Sequence, residues 1–173
     1  MIEERNDALK NRMFYPIERY NFACKKFKDM NIADAGCGMG YGVKLLTDLK
    51  NRVLGIDISG EAVEYAISEY KVLAIRSDIQ EFDYFGFEGV VCLEALCHLK
   101  EPERFLDRIK DKVIVISAPI DPNPNDGYIY RITNLNEEKF KELLSNWHII
   151  DELRQNDNGQ IYLTVYGVPK NIS

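Results

Sequence analysis

Four carboxylates stand at or just past the ends of four short apolar runs: Asp34, Asp57, Asp78 and Glu94. The first leads into glycines at alternate positions, Gly36, Gly38, Gly40 and Gly42. A carboxylate accepts from two vicinal hydroxyls at once, which suits Asp57 to a sugar. A glycine turn lets a ligand approach backbone that a Cβ would shield. His98, four residues after Glu94, is of the one side-chain type that titrates naturally near neutral pH, so it is the candidate general base, with Glu94 to orient it or take the role itself. Each residue also has a plainer use. Asp57 could cap the following helix, although Ser59 or Gly60 stands ready for that. Asp78 alone is an ordinary turn residue, and His98 could simply end a helical turn. His148, within the apolar Trp-His-Ile-Ile, reads as structural.

The glycine spacing separates two ligands. A dinucleotide turn reads G-x-G-x-x-G, but Tyr41 stands three places after Gly38, which argues against a nicotinamide-dependent oxidoreductase.

The elements that must position these groups follow from the hydrophobic pattern. Ile32 to Ala35 reads as a buried strand, and Val43, Leu45, Leu46 and Leu49 form the stripe of the helix after the glycines. Further strands are expected at Arg52 to Ile58, Lys71 to Arg76, Phe87 to Leu93 and Lys112 to Ser117. Helices are expected over Glu61 to Tyr70, Pro102 to Lys110 and Asn136 to Ser145, the last capped by Asn134 or Asn136. Ten residues between Asp78 and Gly89 leave room for at most a stub of helix there. Ile2 to Met30 reads as helical, broken at Pro16, and Trp147 to Leu153 with Gln160 to Val168 flank the hairpin signal Asn156-Asp-Asn-Gly159. Together these give an α/β fold: a Rossmann-like, doubly wound, mostly parallel seven-stranded sheet with a C-terminal antiparallel hairpin. Its single domain spans residues 1–173, with an N-terminal helical segment at 1–30 and the core at 31–173.

With 173 residues, 46% hydrophobic and 29% charged, the chain suits one soluble domain. No apolar run approaches the ~20 residues of a membrane span, and the charged stretch Met1 to Lys10 does not read as a secretory signal, which points to the cytoplasm. A net charge of −6 offers no general attraction to nucleic acid. Cys24, Cys37, Cys92 and Cys97 lack zinc spacing and read as small hydrophobes in a reducing compartment.

Asp34-x-Gly36-x-Gly38-x-Gly40, followed by Asp57 and Asp78 at the right intervals, resembles the class I S-adenosylmethionine-dependent methyltransferases, of the small, ubiquinone-type group. The resemblance runs roughly from Tyr15 to Val168. It implies a methyl transfer from S-adenosyl-L-methionine to an oxygen or nitrogen acceptor. It implies that the cofactor meets Asp34, Gly36, Cys37, Gly38, Gly40 and Tyr41 in the loop, and Asp57 and Ile58 at the second strand's end. Asp78 and Ile79 would meet the adenine, Glu94 would face the transferring methyl, and Tyr15 and Arg19 would flank the cofactor from the N-terminal helix. Packing of those aromatics onto the sheet is the alternative for that helix. Glu94-Ala-Leu-Cys97-His98 is similar to a Glu-x-x-Glu-His segment, but Cys97 replaces the second acid, so a hard-metal site loses an oxygen ligand and no metal is expected. Gly89 stands where the family commonly has Asp. The loop Ile120 to Thr133, with Pro122, Pro124, Tyr128, Tyr130 and Arg131, is where specificity is expected. Little else could cover the site, which suits a bulky acceptor, a partner subunit, or an oligomer that lends a lid. A degenerate, partner-type member of the fold is the competing reading.

Overall fold

In the computed structural model, which describes residues 17–121, 132–157 and 159–170, the chain runs as follows. It begins α1 (Ile17–Cys24), β1 (Asn31–Ala35), α2 (Tyr41–Thr47), β2 (Arg52–Asp57), α3 (Gly60–Tyr70) and β3 (Ala74–Arg76). It continues β4 (Gly89–Leu93), a 3-10 turn (Leu96–His98), α4 (Pro102–Arg108), β5 (Val113–Ile120), α5 (Glu137–Leu143), β6 (Trp147–Asp157) and β7 (Gln160–Pro169). One seven-stranded sheet has the order β3-β2-β1-β4-β5-β7-β6. Its first five strands are parallel, β7 runs antiparallel to β5, and β6 pairs antiparallel with β7. Strand order reverses between β1 and β4, so the crevice at their carboxyl ends is where this architecture receives a ligand. Tyr15, the helix expected before Ile17 and the proline loop at 122–131 lie outside the described residues.

Both faces of the sheet are covered. Val90 and Cys92 of β4 join a core with Phe105, Ile109 and Phe140, while Val91 and Leu93 join one with Tyr20, Phe27, Val43 and Leu46. A side-chain period of two thus requires apolar residues at every place along the strand.

Several boundaries differ from the sequence reading. β3 is three residues long because it pairs with β2 only over Ala74–Arg76, after the chain leaves α3 through Lys71 in a left-handed conformation (φ 56°). β5 continues past Ser117 to Ile120 because its other neighbour, β7, pairs with it that far. Ser117 faces β4, where its carbonyl accepts from the N–H of Glu94. Pro119 points the same way, beyond the last β4 partner, so its missing N–H disrupts no ladder bond. Between Asp78 and Gly89 there is no helix; Phe82, Tyr84 and Phe87 pack there, with Tyr84 edge-on to Phe105. Ser59 and Asn136 are the N-caps, each accepting from a first-turn N–H. Gly89 has a packing reason: an added Cβ would lie 2.6 Å from the Phe27 ring. Glu88 beside it is spent on the N–H of Asn31, at 2.9 Å.

Candidate functional site

The loop after β1 turns through Gly36, Gly38 and Gly40, all at positive φ. A Cβ on Gly36 would stand 2.4 Å from that of Ala95, whereas one on Gly38 would meet nothing within 4 Å. Gly38 therefore borders open space, a cradle that a side chain would fill. Gly40 serves packing instead, its Cβ position lying 2.4 Å from Ala66. The N–H groups of Gly36 and Cys37 both go to the Ile56 carbonyl, and that of Gly40 goes to Cys37. The loop is thus fixed by its own bonds, and what it offers a ligand is close approach. Cys37 is buried, with its sulfur against Gly55.

Asp57 lies across from this loop. One carboxylate oxygen accepts from Gly38 N–H and the other from Ser59 N–H, each at 2.9 Å. Helix capping belongs to Ser59, so Asp57 is free for another task, and its oxygens keep two of about four acceptor positions. Ile58 beside it is 60% exposed at the strand tip. Asp78 forms a turn by accepting from Gln80 N–H at 2.9 Å. The Ile79 side chain is buried and its carbonyl accepts from the Tyr84 hydroxyl, leaving backbone rather than side chain to face a ligand.

Asp34 is fully buried and does not reach the crevice surface. Both its oxygens accept from the Tyr20 hydroxyl, at 3.2 and 3.1 Å. Burial pushes its carboxyl up to about 7, with the Tyr20 bond opposing and Asp57 adding to the rise. The same burial, with Asp34 alongside, holds the Tyr20 phenol well above its ordinary value. Asp34 stands behind Tyr20, whose ring packs on Gly42 and meets Tyr41 edge-on at 5.0 Å.

The fourth tip is the most constrained. Glu94 follows β4 in a left-handed conformation (φ 61°), its N–H donating to the Ser117 hydroxyl at 3.0 Å. Such strain in a non-glycine residue points toward function. Its carboxylate pairs with Arg19, which is 1% exposed. Arg19 also donates to Gln155 Oε1 at 3.2 Å and lies 4.3 Å from the centre of the Tyr162 ring. Its Nε, and the buried hydroxyl of Tyr41, have no hydrogen-bond partner among the described residues. Buried donors are nearly always satisfied, so two unpaired ones in one network fit an anionic ligand group. Burial, then the Glu94 and Asp34 charges, holds the Tyr41 hydroxyl protonated.

His98 is half-buried and closes the 3-10 turn, its N–H bonded to Ala95. Cys97 faces inward: its sulfur donates to the Glu94 carbonyl, and its own carbonyl anchors Ile132 and Thr133 where the chain returns. Among the described residues no three His, Cys, Asp or Glu side chains gather as a metal site. Gln155 and Tyr162 were not legible as site residues, since nothing in a hairpin's alternation says which helix it will meet.

The fold is the Rossmann-like fold of solved methyltransferases, with strand order β3-β2-β1-β4-β5-β7-β6. Residues 33–114 match the family model of the methyltransferase domain. Over 120 residues it is 29% identical to the ubiquinone biosynthesis O-methyltransferase of Rickettsia bellii, in strains OSU 85-389 and RML369-C. That match covers 64% of this chain and 50% of the relative, so the chain spans about half the length of these relatives. Among solved structures, a putative methyltransferase in complex with the Haloferax volcanii Trm112 methyltransferase activator superposes with a TM-score of 0.76. The identity is 15%, over 98% of this chain and 95% of that one. The Burkholderia thailandensis 1,6-didemethyltoxoflavin-N1-methyltransferase, with S-adenosylhomocysteine bound, gives a TM-score of 0.74 at 18% identity, over 98% and 87%. At such identities the likeness is one of fold.

Proposed function

We propose that this chain binds S-adenosyl-L-methionine and transfers its methyl group to an oxygen or nitrogen acceptor. The observation that carries the reading is the order of the tips along the crevice: Asp78, Asp57, the Gly38 cradle, then Glu94 with Arg19, on β3, β2, β1 and β4. Three strand intervals of about 4.8 Å make roughly 14 Å, the scale of one extended nucleoside with an amino-acid tail. Asp78 and the Ile79 backbone would meet the purine edge, Ile58 would pack on its face, and Asp57 would take the ribose hydroxyls. Arg19 and Tyr41 supply donors for the carboxylate, and Glu94 an acceptor for the ammonium.

The cofactor, when bound, supplies a methyl already activated on a positive sulfur. What the chain adds is alignment, which can reach ~7–11 kcal/mol in well-oriented systems. His98 takes the proton from an acceptor that must lose one. Glu94, held by Arg19, is better placed to bind than to act as a base. The acceptor is a small molecule or a bulkier partner reaching an open crevice. A Haloferax fold neighbour that works with an activator favours, as a second reading, activity that needs a partner subunit. No described helix is long and apolar enough to cross a membrane. A cytoplasmic location is part of the proposal.

Calorimetry with S-adenosylmethionine and S-adenosylhomocysteine tests it, with NAD as control. Saturable binding of the first two is expected, and silence at high micromolar concentration rejects the reading. Radiolabelled methyl transfer into fractionated extract then assigns the acceptor class. His98→Ala should leave cofactor binding intact and slow turnover by about 10²–10⁴-fold; an unchanged rate removes His98 from the chemistry.

A further inference from the structure

Arg19 is a long cation buried in a short helix, and most of what holds its guanidinium lies far along the chain. Leaving it mobile would forfeit its use, because burying such a charge is costly unless its donors have fixed partners. Helix α1 provides the stem, but the head lies against the terminal hairpin. Gln155 and Tyr162 stand directly opposite each other in the β6–β7 register, so their side chains share one face of the sheet. One receives a guanidinium N–H at 3.2 Å and the other lies 4.3 Å away, ring centre to guanidinium carbon. Gln155 cannot turn freely, since its amide donates to Glu18 at 2.6 Å while its oxygen accepts from Arg19. Glu94 occupies a further guanidinium nitrogen, leaving Nε unpaired.

We propose that Gln155 and Tyr162 are positioning residues: a cross-strand clamp that sets the Arg19 guanidinium so that its free edge receives the carboxylate of the cofactor. This rests on the cofactor reading above and extends it to the hairpin. The clamp makes cofactor affinity depend on two residues outside the matched domain region, 33–114.

The test is a double-mutant cycle read by calorimetric binding of S-adenosylhomocysteine. Tyr162→Leu is expected to weaken binding roughly two- to thirty-fold, the range of a lost cation–π contact. Tyr162→Phe, which keeps the ring face, should restore it, and Gln155→Ala should weaken binding in the same direction. In an Arg19→Ala background both changes should lose their effect, because the group they orient is gone. A merely structural role of the hairpin would persist in that background. Unchanged affinity in Tyr162→Leu, or equal weakening with and without Arg19, overturns the proposal. Should Tyr162→Leu fail to fold, Gln155→Ala in the two backgrounds decides the matter alone. Wild-type protein that does not bind S-adenosylhomocysteine rejects the cofactor reading itself, and that result is distinct from binding that ignores the clamp.

Discussion

Gly36 and Gly38 share a conformation and differ in surroundings, which separates stability from binding. Gly38→Ala places a methyl in open space at a φ of 54°, so the strain is about 1–2 kcal/mol, with no overlap added. The same methyl fills the cradle, so S-adenosylhomocysteine binding should fall at least tenfold while urea unfolding shifts little. Gly36→Ala meets Ala95 at 2.4 Å as well as the positive φ, and should cost a few kcal/mol of stability. Asp34 gives a prediction in pH. Its folded value near 7 stands above the ordinary carboxyl value of 3.8. Between those values the folded chain holds a proton that the unfolded chain has lost, so this group's support is full below pH 4 and is lost as pH rises toward 7. About three units correspond to an upper limit of about 4 kcal/mol. Asp34→Asn, which keeps an acceptor for Tyr20, should remove that decline. Urea midpoints of the two proteins from pH 4 to 8 should therefore diverge with rising pH; parallel curves would mean Asp34 ionises freely.

At the scale of elements, what is local was legible and what is set by a neighbour was not. The strand–glycine–helix turn, Asp57 at a strand's end and the Ser59 cap each follow from chemistry within a few residues. The short β3 and long β5 could not be read that way, because pairing with β2 and β7 decides their length. Nor could the burial of Arg19, whose partners Glu94, Gln155 and Tyr162 lie 75 or more places away, just past β4 and on the β6–β7 hairpin. Gly89 shows the same limit from the other side. In sequence it is a missing acid; in the fold it is the space for Phe27, the residue that seals α1 against β4. Gly89→Asp should therefore destabilise the chain by at least about 2–3 kcal/mol, through overlap with the ring and burial of a charge. A urea midpoint equal to wild type would show that the ring can yield, and that the acid was lost for another reason.

On the scale of the whole molecule, the crevice is assembled from parts that have no covalent reason to stay in register. β2 brings Asp57 and β4 brings Glu94, while Arg19 arrives on a helix preceding both and its clamp on a hairpin following both. The two cores lie on opposite faces of the sheet. A molecule that touches all the tips would therefore act as a brace, stabilising the folded chain by mass action. At one hundred times its dissociation constant, S-adenosylhomocysteine should add about 2.7 kcal/mol, which for this length raises the melting temperature by roughly 5–10 °C. Asp57→Ala removes the proposed sugar contact together with the tether to Gly38 N–H, so both the ligand-free stability and the ligand-induced rise should shrink. Hydrogen exchange locates the effect: ligand should protect the amides of the loop at 36–40 together with those following β4. Protection confined to one of these segments would mean that the ligand grips a single tip, and that the tips do not form one site.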